Sequence, residues 1–458
     1  MSHTDAFTWA MEEDPRLRST VVSLVLLDGA PDWDVVRARW DALTRTVPMF
    51  RKIIVDSPPP TPPRWEWAED FDLDFHVRRV TAPEPGDLDT LLEMARVAAM
   101  SDFDRARPLW TATLIDGLAD GGAALLCKLH HGMTDGVGGV QMAMTLFDLT
   151  EQPRSAESIL ANRDEANTDE PHVEERGVLS EYGDIVRYDL DMVGKAVSGT
   201  VSGIPDLISK VFRDPRQTAA DAAELAGSLY RAMRPVTKTG STLMTERSLV
   251  RKLAVHQVPL SALKKAARAG NGSLNDAFVA GITGGLRRYH DKHGVVVEDL
   301  HLTMPISLRT EDAELGGNHI TLARFDVPAG IADPALRIAE TRTRTTQARN
   351  EKSNDYIQIV AGTMNMIPRR ILSAVFRHVD FLASDVPGIP VQVFFGGAPV
   401  RAQYAFGPTI GSAVNVTLLS YVDTCALGID VDTGAIPDVD DFYDCLVAGF
   451  EEVLALAD

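Results

Sequence analysis

The spacing of apolar residues divides the chain into two stretches where strand-like and helix-like patterns alternate, separated by a stretch where the pattern lapses. Near the start, Asp5 to Glu13 predicts a helix with Thr4 or Asp5 as its cap, and the Val- and Leu-rich run Ser19 to Asp28 predicts a strand. Val36, Trp40 and Leu43 fall on one face of a helix predicted over Trp33 to Val47, which Pro48 ends. Five prolines between Ser57 and Pro63 mark a surface loop. Beyond it, Leu73, Phe75 and Val77 alternate as in an extended chain within Trp65 to Val80. A helix is predicted over Leu88 to Ala99 and a loop over Asp102 to Pro108. Leu109 to Ile115 and Ala123 to Leu129 then read as two strands, joined by the turn-rich Asp116 to Gly122 and adjacent in one sheet.

From Glu151 to Val173 the chain is acidic and loses its apolar period, as a linker does. Residues 177–234 read as helical segments; in Asp191 to Phe212, Val197, Val201 and Ile204 belong to an apolar set suited to a crossover between halves or to a lipid-facing flap. A new alternation starts at Ser248: strand 248–258, helices 260–269 and 273–290, strands 300–306 and 319–327, helix 333–350, further strands between 391 and 431, and a last helix over Val439 to Leu456. The expected organisation is a domain over 1–150, a linker and helical crossover over 151–247, and a second domain over 248–458. Strands interleaved with helices in both outer parts predict an α/β (α+β) fold with two mixed sheets, and no solenoid period is present.

A length of 458 residues exceeds one ordinary core, and 45% hydrophobic with 24% charged residues is a globular balance. With 45 Lys and Arg against 65 Asp and Glu, the net charge of -20 argues against a nucleic-acid-coating protein, so an anionic ligand would need a local basic patch. Cys127, Cys425 and Cys445 lie in apolar patterns at spacings that suit neither zinc nor a redox pair, and predict a reduced, cytosolic setting. No secretory signal is visible at the start, and no apolar run approaches the ~20 residues of a spanning helix, so any membrane contact is expected to be peripheral.

The chemistry concentrates in His130-His131-Gly132-Met133-Thr134-Asp135-Gly136, between a strand ending at Leu129 and a helix carrying Val137, Val140, Met144 and Phe147 on one face. Consecutive residues of extended chain point to opposite faces, so only one of the two histidines projects easily into a given cavity as a base. Asp135 and Thr134, near the helix start, suit capping or pairing that keeps the turn rigid. Gly132 and Gly136 allow positive φ or a close approach of substrate to the backbone. The diverging histidines and the lack of a third convergent ligand speak against a metal site, and His290 with His293 is a weak separate pair on a solvated helix face. Gly136-Val137-Gly138-Gly139 is not a complete nucleotide loop, and no G-x-S-x-G elbow occurs.

This turn resembles the H-H-x-x-x-D-G pattern of the bacterial wax ester synthase/diacylglycerol acyltransferase family, and the resemblance extends over nearly the whole chain. Pro108-Leu109-Trp110 is similar to the family's P-L-W element, Leu274-Asn275-Asp276 to its N-D element, and Met304 to Arg309 with Gly317-Asn318 to the segment that follows. Ser384-Asp385-Val386-Pro387-Gly388 resembles its S-N-V-P-G segment with Asp385 for Asn and Ile389 for a further proline, while Leu17 to Val21 replaces an early P-M-H-V-like segment. By itself Ser384 to Pro390 reads as a tight turn, and Trp110 as packing.

The resemblance implies two chloramphenicol-acetyltransferase-like domains with a tunnel between them, acyl-CoA entering from one side and a hydroxyl acceptor, a fatty alcohol or diacylglycerol, from the other. It makes His131 the general base and His130 a support of the turn. Asn275, with Thr134 behind it, is the candidate oxyanion donor. Asp276 divides evenly between a helix cap and a substrate-binding role. Arg369-Arg370 and Arg377-His378 are candidates for the CoA phosphates or a solvated face. Acyl-CoA is a substrate here and no resident cofactor or metal is expected; the site of work is a membrane or lipid-droplet surface. The competing expectations are a carrier-protein-dependent or weakly active relative, and a non-catalytic lipid-binding protein on the same fold.

Overall fold

The computed structural model of the chain describes residues 1, 3–57, 61–134, 136–159, 238–307, 320–350 and 378–457. The helical crossover expected over 177–234 and the Arg369-Arg370 pair lie outside the described residues.

The N-terminal part contributes β1 (Thr20–Leu27), β4 (Val77–Thr81), β5 (Trp110–Asp116) and β6 (Ala123–His130) to a first sheet, while β2 (Lys52–Val55) and β3 (Arg64–Trp67) pair separately. The expected hairpin is there: β5 and β6 pair antiparallel, and β6 pairs antiparallel with β1. The other edge of β1 is occupied by β12 (Ala398–Phe406), with β11 (Phe394–Phe395) beyond it, so the order is β11-β12-β1-β6-β5-β4. Two strands from far along the chain therefore complete the sheet built by its beginning.

The second sheet holds β7 (Arg251–Pro259), β8 (Asp299–Ser307), β9 (Ile320–Pro328), β10 (Phe381–Val386), β13 (Val414–Tyr421) and β14 (Thr424–Asp432) in the order β7-β14-β13-β10-β8-β9. β10 runs parallel to β8 and β13, and the other pairs are antiparallel. This is the mixed α/β architecture that the alternation of patterns predicts.

Two local expectations are corrected. Ser384 to Val386 is the end of the central parallel strand β10 and not part of a turn, because pairing to β13 from Phe381↔Val414 to Val386↔Leu419 holds it extended. Leu73–His76 is a single helical turn, α3, and not strand; the Asp72 carboxylate accepts the Asp74 N–H at 3.0 Å and nucleates it.

Helices α1 (His3–Met11), α2 (Trp33–Thr46), α4 (Leu88–Met100) and α5 (Gly136–Leu146) belong to the first part. Val36, Trp40 and Leu43 of α2 and Met142 and Leu146 of α5 pack with Val25 and Leu125 on one face of the first sheet. On the other face, Leu91, Leu92 and Ala95 of α4 share a core with Val22, Leu24 and Leu126, and with Leu253 of β7 and Ala426 of β14. Trp110 is indeed packing: its ring lies between Trp40 at 5.1 Å and His76 at 4.6 Å, and its Nε1–H donates to the Phe50 carbonyl at 2.8 Å.

Helices α6 (Leu260–Ala269), α7 (Leu274–Lys292), α8 (Pro334–Arg349) and α9 (Val439–Leu454) cover one face of the second sheet. The crossing of α7 and α9 depends on glycine. A Cβ on Gly449 would stand 2.2 Å from the Gly285 nitrogen, and one on Gly285 would stand 2.5 Å from the Leu446 Cα, so neither helix can hold even alanine there without moving apart. Gly449→Ala is expected to cost about 1–3 kcal/mol through this overpacking, read as a lowered urea midpoint. An unchanged midpoint would mean that the helices are not in van der Waals contact.

Candidate active site

β6 remains extended through His130 (φ -79°, ψ 135°), and a 3-10 turn over His131–Met133 then reverses the chain toward α5. The His130 Nδ1 accepts the Gly132 N–H at 3.0 Å, which leaves the ring proton on Nε2. That Nε2 faces Glu12 Oε1 at 3.4 Å. The ring, with no exposed surface, stands edge-on to Trp9 and Phe103, centroids 5.5 and 6.1 Å away. A Cβ at Gly132 would sit 3.0 Å from His130 Nδ1 and press the ring to shift; the close approach foreseen at this glycine is made by the His130 ring.

Glu12 ties the turn to the chain start. Its Oε1 accepts the Ser19 N–H at 2.6 Å, and the Ser19 carbonyl accepts the His131 N–H at 2.8 Å. Burial alone would raise the Glu12 carboxyl, but the adjoining His130 imidazole, the Ser19 N–H and the Arg105 guanidinium outweigh it and hold the group below the usual glutamate value. The segment bearing Glu12 also meets the second half: Phe7, Met11 and Leu17 pack on Leu382 and Ile410, and the Arg16 carbonyl accepts the Thr409 hydroxyl and the Gly411 N–H. The turn thus lies where the two halves meet.

His131 begins the 3-10 turn and is only half-buried, one residue beyond the fully enclosed His130. Thr134 is buried, and Gly136 opens α5. Asp135 lies outside the described residues.

Asn275 and Asp276 open α7 in the second half. Asp276 Oδ2 accepts the Ser273 N–H and hydroxyl, each at 2.7 Å, and Oδ1 accepts the Thr345 hydroxyl at 2.7 Å, so both oxygens are engaged in a capping box and its brace to α8. Among the described residues Asn275 Nδ2 meets the weak acceptor Met304 Sδ, at 3.5 Å. Asp385 on β10 is pushed up to about 6 by burial. Among the described residues no three His, Cys, Asp or Glu side chains converge as metal ligands would, and no helix is long and apolar enough to cross a membrane.

Sequence reasoning did not find Glu12, Ser19, Trp9 or Phe103. Their signal is the register Thr20↔His130, which places the residues before β1 beside the turn and which no local pattern carries.

Two mixed sheets, the first completed by β11 and β12 from far along the chain, with a His-His turn at the end of a central strand, make up a two-domain fold of the chloramphenicol-acetyltransferase-like class. The family model of the wax ester synthase/diacylglycerol acyltransferase catalytic domain matches residues 1–278, and that of the WS/DGAT C-terminal domain matches residues 316–453. The chain belongs to this family of O-acyltransferases. A protein of Mycobacterium tuberculosis named as a diacylglycerol O-acyltransferase is 37% identical over 454 residues, covering 97% of this chain and 90% of the relative. A second protein of that organism, named in the same way, is 26% identical over 484 residues, covering 100% of this chain and 90% of its own length. Among solved structures, the wax ester synthase/diacylglycerol acyltransferase of Marinobacter aquaeolei aligns with a TM-score of 0.60 at 20% identity, covering 96% of this chain and 95% of that one. The starter condensation domain of rhizomide synthetase, in complex with an acyl-CoA, shares the fold with a TM-score of 0.61 at 13% identity over 100% of this chain and 94% of its own.

Glu12→Gln removes the charge facing His130 and is expected to lower stability at neutral pH by about 1–3 kcal/mol. A depressed carboxyl stabilises the fold above its ordinary value of 4.5 and stops doing so as pH falls through its lowered value. The difference in urea midpoint between parent and variant should therefore be full near pH 7 and close below 4.5; a difference constant with pH would remove the charge from the account.

Proposed function

We propose that the protein transfers an acyl group from acyl-CoA to the hydroxyl of a long-chain alcohol or of diacylglycerol, giving a wax ester or triacylglycerol, with His131 as general base. The observation that carries this reading is the opposite fate of two adjacent histidines. His130 is enclosed against Glu12, Trp9 and Phe103, whereas His131 is only half-buried.

An alcohol is a weak nucleophile at neutral pH unless a base removes its proton as it attacks. His131 takes that proton while the alcohol oxygen bonds to the thioester carbonyl carbon. The tetrahedral oxyanion then collapses, the carbon–sulfur bond breaks, and the imidazolium returns the proton to the CoA thiolate. Asn275 is the proposed oxyanion donor, since its amide has a thioether partner alone among the described residues, with Thr134 behind it. Gly136 gives the acyl group close access to the backbone, Asp135 keeps the turn rigid, and Asp276 fixes the start of α7 beside Asn275. The lipid substrates place the work at a membrane or lipid-droplet surface, reached peripherally.

The test is purified protein with palmitoyl-CoA and either hexadecanol or dioleoylglycerol, followed by lipid separation; transfer only from a carrier-bound acyl group would overturn the acyl-CoA reading. His131→Ala should lower kcat by about 10²–10⁴-fold with little change in acyl-CoA affinity. His130→Ala should instead lose activity in step with a lowered melting temperature, because it leaves the buried Gly132 N–H without an acceptor and removes the imidazole that faces Glu12. Ester formation by His131→Ala at the parent rate would end the base assignment. Flotation with liposomes checks the surface contact, and charging Val197, Val201 and Ile204 should release the protein.

A further inference from the structure

The segment 239–247, which leads toward β7, is fastened to the second half by a buried carboxylate and a buried imidazole. Asp380, just before β10, accepts the Gly240 and Ser241 N–H groups at 2.8 and 3.0 Å and the His301 N–H at 2.8 Å. A Cβ on Gly240 would stand 2.7 Å from Asp380 Oδ2 and 2.9 Å from the Asp299 carbonyl, so the segment lies directly on the starts of β8 and β10. Farther along it, Arg247 donates to the Gly411 and Val379 carbonyls, each at 2.7 Å, and the Gly411 N–H donates to the Arg16 carbonyl where the halves meet.

The imidazole is His290. Its expected place was a solvated face of α7, but the structure encloses it fully, with the buried Ser241 against it. His290 Nδ1 lies 2.7 Å from the Leu286 carbonyl, which can only accept, so the ring proton is on Nδ1. Nε2 then carries a lone pair and accepts the Ser241 hydroxyl at 2.7 Å. The Ser241 oxygen has no capacity left, because it accepts the Leu243 N–H at 3.1 Å and the Met244 N–H at 3.0 Å.

A second proton on His290 would set an N–H donor against a hydroxyl whose own proton points at the ring and whose two lone pairs are taken. The contact does not survive that charge. Of the charged groups around the ring, Asp380 favours protonation, but its oxygens are filled by three N–H donors; on α7, Asp291 pairs with Arg287 and His293 with Asp438. Burial outweighs the carboxylates and holds the imidazole below its ordinary value of 6.5. His301 behaves oppositely: Asp326 raises it, so its contribution is present at low pH and is lost as pH rises.

We propose that the Ser241–His290 pair is an acid-sensitive latch, and that protonation of His290 releases segment 239–247 from the second half. This device is independent of the acyl-transfer reading. Opening uncovers His290, which then takes up a proton that the closed form refuses. The opening constant is therefore level above pH 6.5 and rises about tenfold per pH unit below it, until the lowered folded value is reached.

The test is hydrogen exchange of the full chain between pH 5 and 7.5, followed by mass spectrometry of a peptide spanning 239–247 and corrected for intrinsic exchange, with a peptide from α9 as reference. The 239–247 peptide of the parent should lose protection about tenfold per pH unit below 6.5 while the α9 peptide does not. His290→Gln offers Oε1 to the Ser241 hydroxyl and takes no proton, so its protection should stay level. A level response in the parent overturns the latch, and so does an equal slope in His290→Gln, which would put the proton on another group. Should His290→Gln fail to fold, the parent carrying ¹⁵N-histidine decides. The His290 Nε2 resonance should move over the pH interval in which the 239–247 peptide loses protection, and protection lost while that ring is still neutral overturns the proposal.

Discussion

Strand β1 has no free edge, and most of the molecule follows from that. Buried backbone N–H and C=O groups must be paired, so a strand in the middle of a sheet needs a partner on each side. One edge of β1 pairs with β6, from Leu27↔Ala123 to Thr20↔His130, and so fixes where the histidine turn begins. The other edge pairs with β12, from Val22↔Phe406 to Leu27↔Val400, with an irregularity at Leu26 and Leu27. The same eight residues therefore hold the reactive turn and bind the beginning of the chain to its end. That the turn lies at the meeting of the halves is a consequence of this double pairing.

Around this frame, buried charge is consistently assigned to architecture. Arg251 pairs with Asp430 at 2.7 Å, and Arg337 with Glu452 at 2.9 Å while it also donates to the Ala280 carbonyl. Asp276 holds a helix start, and Glu12 with His130 belongs to the same class. Arg251, Arg337 and Asp276 are satisfied by partners fixed in place, which is the condition under which a buried charge is tolerated, and Glu12 takes the Ser19 N–H while it faces His130. His131, one residue from His130, is half-buried where His130 is fully enclosed, which separates the residue that shapes the site from the one proposed to act in it.

Features set by local chemistry were legible in the sequence. Helix α2 was readable from its stripe of Val36, Trp40 and Leu43, and its start is fixed by Asp32, which accepts the Asp34 and Val35 N–H groups. The histidine turn was readable because its residues are contiguous, although the roles of its two histidines came from family resemblance. Features set by distant pairing were not legible. The end of β10 looks like a turn because Asp385 is followed by Pro387 and Gly388 just past the strand, and its place between β8 and β13 holds it extended. The membership of β12 in the first sheet, and the meeting of Glu12 with His130, have no local signature. Leu73 to Val77 misled for the opposite reason: an alternating pattern was overruled by the cap at Asp72.

Cys127 carries a chemical consequence of its surroundings. Burial pushes its thiol up to about 12. At pH 7 the nucleophilic thiolate is then about one part in 10⁵ of the population. In the proposed reaction with a thioester, exchange with a cysteine of the protein would leave an acyl group on the chain and stop turnover. A thiol kept protonated by its burial is inert toward such a reagent.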